Sequence, residues 1–272
     1  MKRLLVIGIG AGDPDHLTLQ GVKAIAATDV FFIIDKGEEK DDLVRLRRQL
    51  IEEHGRPPYR VVEGRDPERD RTAAAYEAAV EDWRERRAEL YRRMIEDELG
   101  DGETGAFLVW GDPGVYDSTL SILDRLPFEY EVIPGISALS ALTARHRTTL
   151  TQVGSPVHIT TGRRLAEQGP TADDILVMLD SRCAFEGLTD YHIYWGAYLG
   201  TPDEILVEGP VPEVAERIRA QILEDKGLTE ERLAELDAEK RKAIEEEIRQ
   251  AIEEKMKVET GKTEGTMADL RV

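Results

Sequence analysis

Thiols are nearly absent from this chain: Cys183 is the one cysteine in 272 residues. It forms no internal disulfide and no cysteine metal cluster, which fits a reducing compartment, and the expectation is a cytoplasmic protein. The simplest role for that cysteine is a small buried apolar side chain. Positive charge is also scarce. Lys and Arg total 36 against 55 Asp and Glu, a formal charge of −19, whereas a nucleic-acid surface needs basic residues massed on one face. No nucleic-acid partner is expected. Long apolar runs are missing too, since no stretch approaches the ~20 residues of a membrane helix. Lys2 and Arg3 before Leu4 to Ile9 imitate the start of a secretory signal, but the run is short and ends in Gly-Asp-Pro without a small-residue cleavage site. It reads as a first core strand of a soluble protein with no membrane partner. The length suits two moderate domains sharing one interface better than a single domain.

Against this plain background stand three glycine-containing turns: Gly8-Ile-Gly-Ala-Gly-Asp-Pro14, Trp110-Gly-Asp-Pro-Gly-Val-Tyr116 and Pro134-Gly-Ile-Ser-Ala138. Each follows an apolar run (Leu4 to Ile7, Phe107 to Val109, Tyr130 to Ile133) and precedes a helical pattern. All three are therefore expected at the carboxyl edge of one parallel sheet, where open α/β sheets bind ligands. Glycine there lets backbone groups approach a ligand without a Cβ in the way. Gly8, Gly10 and Gly12 do not complete a dinucleotide fingerprint, because position 13 is Asp13 where a third glycine is required. Taken singly, each segment also reads as a tight βα turn.

Further strand-like runs at Val30 to Ile34 and Tyr59 to Val62 alternate with helical patterns, which predicts a doubly wound parallel sheet as the first α/β domain. Its longest helix is predicted from Asp66 as N-cap, with Pro67 at the first position, to about Leu99. Tyr76, Val80, Trp83, Leu90 and Met94 give it one apolar stripe. Thr148 to Ser155 reads as the interdomain connection. A second set of strands is predicted at Val157 to Thr160, Ile175 to Leu179, His192 to Ala197 and Ile205 to Val207, making a second α/β domain with a mixed sheet, closed by a helix from about Val214. The expected bounds are 1–147 and 148–227, with 228–272 a charged tail. Within that tail Ile244, Ile248, Ile252 and Met256 recur four apart, which predicts an amphipathic helix over Thr229 to Lys257.

In order and spacing the three turns resemble the tetrapyrrole (corrin and porphyrin) methyltransferases. The resemblance continues through Val157-His-Ile-Thr-Thr-Gly-Arg-Arg164, Asp174-Ile-Leu-Val-Met-Leu-Asp180 and Ile193-Tyr-Trp-Gly-Ala-Tyr-Leu-Gly-Thr-Pro-Asp-Glu-Ile-Leu-Val207. The last two, with Phe31-Phe-Ile-Ile-Asp-Lys-Gly37, look most like a deacetylating branch of that family. The resemblance covers Lys2 to about Pro210. It implies two α/β domains with S-adenosylmethionine held in the cleft between them, a tetrapyrrole substrate, no metal, and a homodimer. The implied cofactor contacts are Ala11, Trp110, Gly111, Asp112, Val115, Ser137 and Ala138, with Met178 or Leu179 and Trp195 to Gly196 from the second domain. Gly10, Gly12 and Asp13 fall on the tetrapyrrole side. The acidic balance weakens the related reading of a ribosomal-RNA methyltransferase.

Methyl transfer from a sulfonium to carbon is an in-line displacement, so such a site is mainly a positioning device. Asp112 also suits hydrogen bonding to neighbouring backbone N–H groups to fix its turn. Substrate acetates and propionates call for cations, and arginine grips a carboxylate bidentately. Arg163 and Arg164 after Gly162, and Arg145 with Arg147 at the domain junction, are the candidates, each also readable as surface charge. Loss of an acetyl group needs a proton carrier. Asp35 at the end of the second strand and Tyr116 are the leading candidates, with His16 beside them, although Asp35 also reads as the cap of its turn. The tail departs from the family, whose last strand completes the second sheet, and only Met267 to Val272 offers a substitute. A second hypothesis is another methylase of the family. A third is a binding module that keeps the fold.

Overall fold

The computed structural model describes residues 2–35, 41–67, 76–180, 183–211 and 268–271, with single helical positions between 211 and 220. At 35, 41–44, 76–80 and 268–271 it describes the backbone alone. The chain divides into two compact units, Met1–Ser137 and Ala138–Val272.

In the first unit five strands form one sheet: β1 (Arg3–Gly8), β2 (Val30–Asp35), β3 (Arg60–Arg65), β4 (Thr104–Val109) and β5 (Tyr130–Ile133). Their order is β3-β2-β4-β1-β5, and every pairing is parallel. Alternation of side chains along a strand sorts the core onto two faces. Leu5, Ile7, Phe31, Ile33, Ala106 and Leu108 pack on one face with α1 (Leu19–Ala26) and α2 (Asp41–His54). Leu4, Val6, Val30, Phe32, Phe107 and Val109 pack on the other with α3 (Tyr76–Glu98) and α4 (Thr119–Leu123). Both faces are thus covered, which is why β1 is apolar at successive positions rather than alternating. The doubly wound sheet expected from sequence is present.

The predicted start of α3 differs. Pro67, expected as the first helical residue, is not helical, and the Asp66 carboxylate lies 3.1 Å from the Arg87 guanidinium, both side chains largely buried. Residues 68–75 of the expected first turns lie outside the described residues. Trp83 and Met94 of the predicted stripe are buried, as packing requires.

The second unit opens with α5 (Ala138–His146), followed by β6 (Val157–Thr161), α6 (Gly162–Gln168), β7 (Asp174–Met178), β8 (His192–Ala197), β9 (Ile205–Pro210) and β10 (Ala268–Arg271). The sheet order is β6-β7-β10-β8-β9. β6 and β7 run parallel and the other pairs are antiparallel, so the sheet is mixed as expected. Two boundaries move. α5, expected with the first domain, belongs to the second unit, since it lies against β8, β9 and β10. The chain's last residues are not an appendage: β10 is the middle strand of the sheet, pairing β7 on one side and β8 on the other. The amphipathic helix expected over Thr229 to Lys257 and most of the helix expected from Val214 lie outside the described residues.

Candidate functional site

In the first unit β1 and β4 are neighbours, yet the chain leaves β1 for α1 on one face and β4 for α4 on the other. Diverging helices leave a crevice at the carboxyl ends of such a strand pair, the topological switch point of the sheet. The three glycine turns meet there and are tied to one another. Gly10 N–H donates to Gly111 O at 3.2 Å and Gly111 N–H donates back to Gly10 O at 2.7 Å. A Cβ on Gly135 would lie 2.1 Å from Gly111 O and 2.9 Å from Gly8 Cα, and one on Gly8 would meet Gly135 N at 2.6 Å. Gly8 and Gly135 therefore serve backbone-to-backbone packing between turns, a different use of glycine from the ligand approach read in the sequence.

Asp112 completes the tie. Its Oδ1 accepts from Gly114 N–H at 2.8 Å and its Oδ2 accepts from Gly135 N–H at 3.0 Å, so one carboxylate closes its own turn and binds the turn after β5. This is the backbone-fixing role anticipated for it. Gly111 sits at φ +67° and Tyr116 at φ +51°. For tyrosine that region is sterically costly, and such residues concentrate at functional sites. Burial pushes the Tyr116 phenol up, so it stays neutral and able to donate near neutral pH. Trp110 is buried, and its indole N–H has no hydrogen-bond partner among the described residues; the same is true of His16 Nδ1. Buried polar atoms are rarely left without a partner, and an absent ligand or water is one reason.

In the second unit, strand register aligns residues that are far apart in sequence. Ala268 of β10 pairs with Met178 of β7 and with Gly196 of β8, so one row crosses the sheet through all three. Met178 and Trp195 are buried, and the chain turns at Leu179 with φ +56°. Asp180 follows, its Oδ2 accepting from Ala184 N–H at 2.7 Å. Gly162 abuts it so closely that a Cβ there would lie 2.3 Å from Asp180 Oδ1. The Trp195 carbonyl lies 2.9 Å from His146 Nε2, while His146 Nδ1 is 3.2 Å from Glu208 Oε2. The Trp195 indole N–H, like that of Trp110, is buried with no partner among the described residues.

Comparison with known proteins now adds to this geometry. Residues 3–215 match the family model of the tetrapyrrole (corrin/porphyrin) methylases. The chain belongs to that family. The chain is 46% identical over 228 residues to a precorrin-6A synthase (deacetylating) of Sinorhizobium sp, covering 80% of this chain and 87% of that protein. Among solved structures, a cobalamin synthesis related protein of Corynebacterium diphtheriae superposes with a TM-score of 0.68 at 34% identity, over 84% of this chain and 95% of that one. A uroporphyrin-III C-methyltransferase of Thermus thermophilus, solved in complex with S-adenosylhomocysteine, shares the fold with a TM-score of 0.53 at 18% identity, over 79% of this chain and 86% of that one.

Within this tetrapyrrole methylase, Gly10, Ala11, Gly12, Trp110, Gly111, Asp112, Val115, Tyr116 and Ser137 gather at the carboxyl edge of the first sheet, and Ala138 opens α5. Asp13 does something local: it caps the short turn Pro14–His16, accepting from Asp15 N–H at 2.9 Å. Asp35 ends β2 in register with Arg65, at the same sheet edge. Two of the arginines expected to take substrate carboxylates have carboxylates of the chain beside them. Arg145 Nε lies 2.7 and 2.9 Å from the two Glu204 oxygens, Arg163 pairs with Glu167 at 3.3 Å along α6, and Arg164 is exposed.

Two arginines set among apolar side chains, Arg87 buried and Arg47 half-buried, went unread in the sequence. Arg87 of α3 is 5% exposed, pairs with Asp66, donates to Ser118 Oγ at 3.1 Å, and lies 4.8 Å over the Trp83 ring. It thereby anchors the segment after the Trp110–Tyr116 turn. Arg47 of α2 donates from Nε to Leu108 O at 2.9 Å. Both lie on apolar stripes, Arg47 three and four residues before Leu50 and Ile51, and Arg87 four after Trp83 and four before Tyr91. A charge inside such a stripe was the available signal.

Proposed function

We propose that this chain is an S-adenosylmethionine-dependent C-methyltransferase of cobalamin biosynthesis that methylates C-1 of precorrin-5 and releases acetate, giving precorrin-6A. The single observation that carries the reading is the 46% identity over 80% of the chain to a precorrin-6A synthase (deacetylating). The interlocked turns support it, because methyl transfer asks chiefly for rigid backbone that positions two substrates.

In this reading the cofactor takes contacts from Ala11, Trp110, Gly111, Asp112, Val115, Ser137 and Ala138, and from Met178, Leu179, Trp195 and Gly196 of the second unit. The orphaned indole N–H groups of Trp110 and Trp195 favour a bound polar partner on each. The substrate carbon forms a bond to the methyl carbon as the sulfonium C–S bond breaks, leaving S-adenosylhomocysteine. Water then adds to the acetyl carbonyl, and the carbon–carbon bond cleaves to acetate with its electron pair left on the macrocycle. Tyr116, a neutral phenol in the turn after β4, suits the donor role in that step, and Asp35 that of the base. The reaction so written needs no metal, and a cytoplasmic homodimer is the form expected.

The test is incubation with precorrin-5 and labelled S-adenosylmethionine, with and without chelator, following methylated corrinoid, S-adenosylhomocysteine and acetate. Equimolar formation of the three supports the reading. Methylation without acetate would point instead to another methylase of the family. Failure to bind S-adenosylhomocysteine by calorimetry would favour a module that keeps only the fold.

A further inference from the structure

Ala138, Leu142 and His146 recur four apart along α5, so the three share one face of the helix. Ala138 and Leu142 are buried, and the His146 side chain is only 4% exposed. That face lands on β8. A Cβ on Gly196 would lie 2.5 Å from Leu142 Cδ1, so the helix rests where β8 carries no side chain. One turn further along, His146 Nε2 lies 2.9 Å from the carbonyl oxygen of Trp195, the residue before Gly196. A carbonyl only accepts, so Nε2 is the donor of that bond. The other ring nitrogen, Nδ1, stands 3.2 Å from Glu208 Oε2 of β9, and the Tyr194 ring meets the imidazole edge-on at 5.5 Å.

The backbone stops the helix at this ring. Arg147 N–H donates to Ala144 O at 3.2 Å and Thr148 N–H to Thr143 O at 3.0 Å, the paired bonds of a Schellman motif, with Arg147 at φ +52°. A non-glycine residue holds that left-handed conformation only where its surroundings impose it. An apolar side chain at position 146 would also complete the buried stripe. Apolar contact is non-directional, however, and leaves a helix free to slide along a sheet. A ring held at both nitrogens, by β8 on one side and β9 on the other, is directional and fixes where α5 ends along β8.

Where α5 ends decides where it begins. Ala138 and His146 are its first and last residues, about 12 Å apart along the axis at ~1.5 Å per residue. In the function assigned above, on which this inference rests, Ala138 and the Trp195–Gly196 pair all touch the cofactor. We propose that His146 is a positioning residue for S-adenosylmethionine: by bonding the Trp195 carbonyl it sets the place of Ala138 relative to Trp195 and Gly196, and with it the fit of the cofactor. Glu208 orients the ring for that bond.

The test compares His146→Gln, His146→Asn and His146→Leu with the parent by calorimetric titration with S-adenosylhomocysteine, by melting temperature, and by KM for each substrate. A glutamine amide nitrogen reaches about as far as imidazole Nε2 and an asparagine nitrogen about as far as Nδ1. Glutamine therefore keeps a donor for the Trp195 carbonyl, asparagine keeps only the Glu208 contact, and leucine keeps neither. His146→Gln should bind S-adenosylhomocysteine within about threefold of the parent, and His146→Asn and His146→Leu at least about tenfold more weakly. In those two, KM for S-adenosylmethionine should rise to match while KM for precorrin-5 stays within about threefold. Equal affinity in all four proteins overturns the inference, and so do equal losses in the glutamine and asparagine variants. Losses that track melting temperature and raise both KM values alike would make His146 a strut, which also overturns it. Should the leucine variant fail to fold, the glutamine and asparagine pair decides. A parent that binds S-adenosylhomocysteine but does not turn over precorrin-5 overturns the assigned reaction and leaves the positioning role to the titrations.

Discussion

Replacing Asp112 tests whether the three turns act as one rigid unit. Its two oxygens accept from Gly114 N–H at 2.8 Å and Gly135 N–H at 3.0 Å. Hydrogen bonds to a charged acceptor contribute roughly 1.5–3 kcal/mol each, and the Gly114 bond is exposed, which puts it near the lower limit. Asp112→Ala loses both, so the expected destabilisation is about 3–4.5 kcal/mol. At about 2–4 °C per kcal/mol for a chain of this size, the melting temperature should fall by roughly 6–18 °C. Asp112→Asn keeps one acceptor oxygen but turns an NH2 group toward the other backbone N–H, so it should recover less than half of that loss. Releasing the turn after β5 should also weaken S-adenosylhomocysteine binding at least ~tenfold, or about 1.4 kcal/mol. Differential scanning calorimetry and titration calorimetry read the two effects. An Asp112→Ala protein with parental melting temperature and parental affinity would refute the coupling of the turns; lost stability with parental affinity would refute their role in binding.

Other expectations follow from the same packing. Gly135→Ala puts a Cβ 2.1 Å from the Gly111 carbonyl oxygen; backbone cannot yield as a flexible side chain does, so the loss should reach or exceed the ~1–3 kcal/mol typical of overpacking, measured by urea denaturation. Truncation before Ala268 removes the strand between β7 and β8 and breaks two ladders; the shortened protein should lose near-ultraviolet circular dichroism of its second unit and S-adenosylhomocysteine binding, and retention of both would show that β10 is dispensable. Arg60, with help from Gly100 N–H, holds the Glu103 carboxyl down at about 2. A depressed carboxylate stabilises the fold above its unfolded pKa and loses that contribution as pH falls through its folded one. Glu103→Gln should therefore be less stable than the parent at pH 6, the difference shrinking as pH falls from about 4.5 toward 2, and, the pair being exposed, shrinking also at high salt. A pH-independent difference in melting temperature would contradict this.

Much of the first unit was legible in sequence because its signals are local. Five apolar runs punctuated by glycine turns specify buried parallel strands, and the doubly wound sheet follows from their alternation with helices. Asp112 was legible as a backbone-fixing residue because an aspartate in a Gly-Asp-Pro-Gly turn reaches N–H groups only two residues away. Its second bond, to Gly135, was not, because nothing in the sequence says which turns meet. The same limit hid the partner of Arg145: Glu204 is 59 positions away, and its proximity is a product of folding alone, whereas Glu167 lies one helical turn from Arg163 and was readable.

The sequence by itself determined the class of the molecule: two α/β units, an acidic surface, three backbone turns at one sheet edge, and membership of the tetrapyrrole methylases. These depend on periodicity, turn chemistry and motif order, all short-range along the chain. Tertiary structure alone decided which glycines pack against each other, that Ala268 joins Met178 to Gly196 across the second sheet, and that Arg47 reaches the Leu108 carbonyl. Each of these is a contact between segments tens of residues apart, settled by strand order and register, and chain spacing carries no record of either.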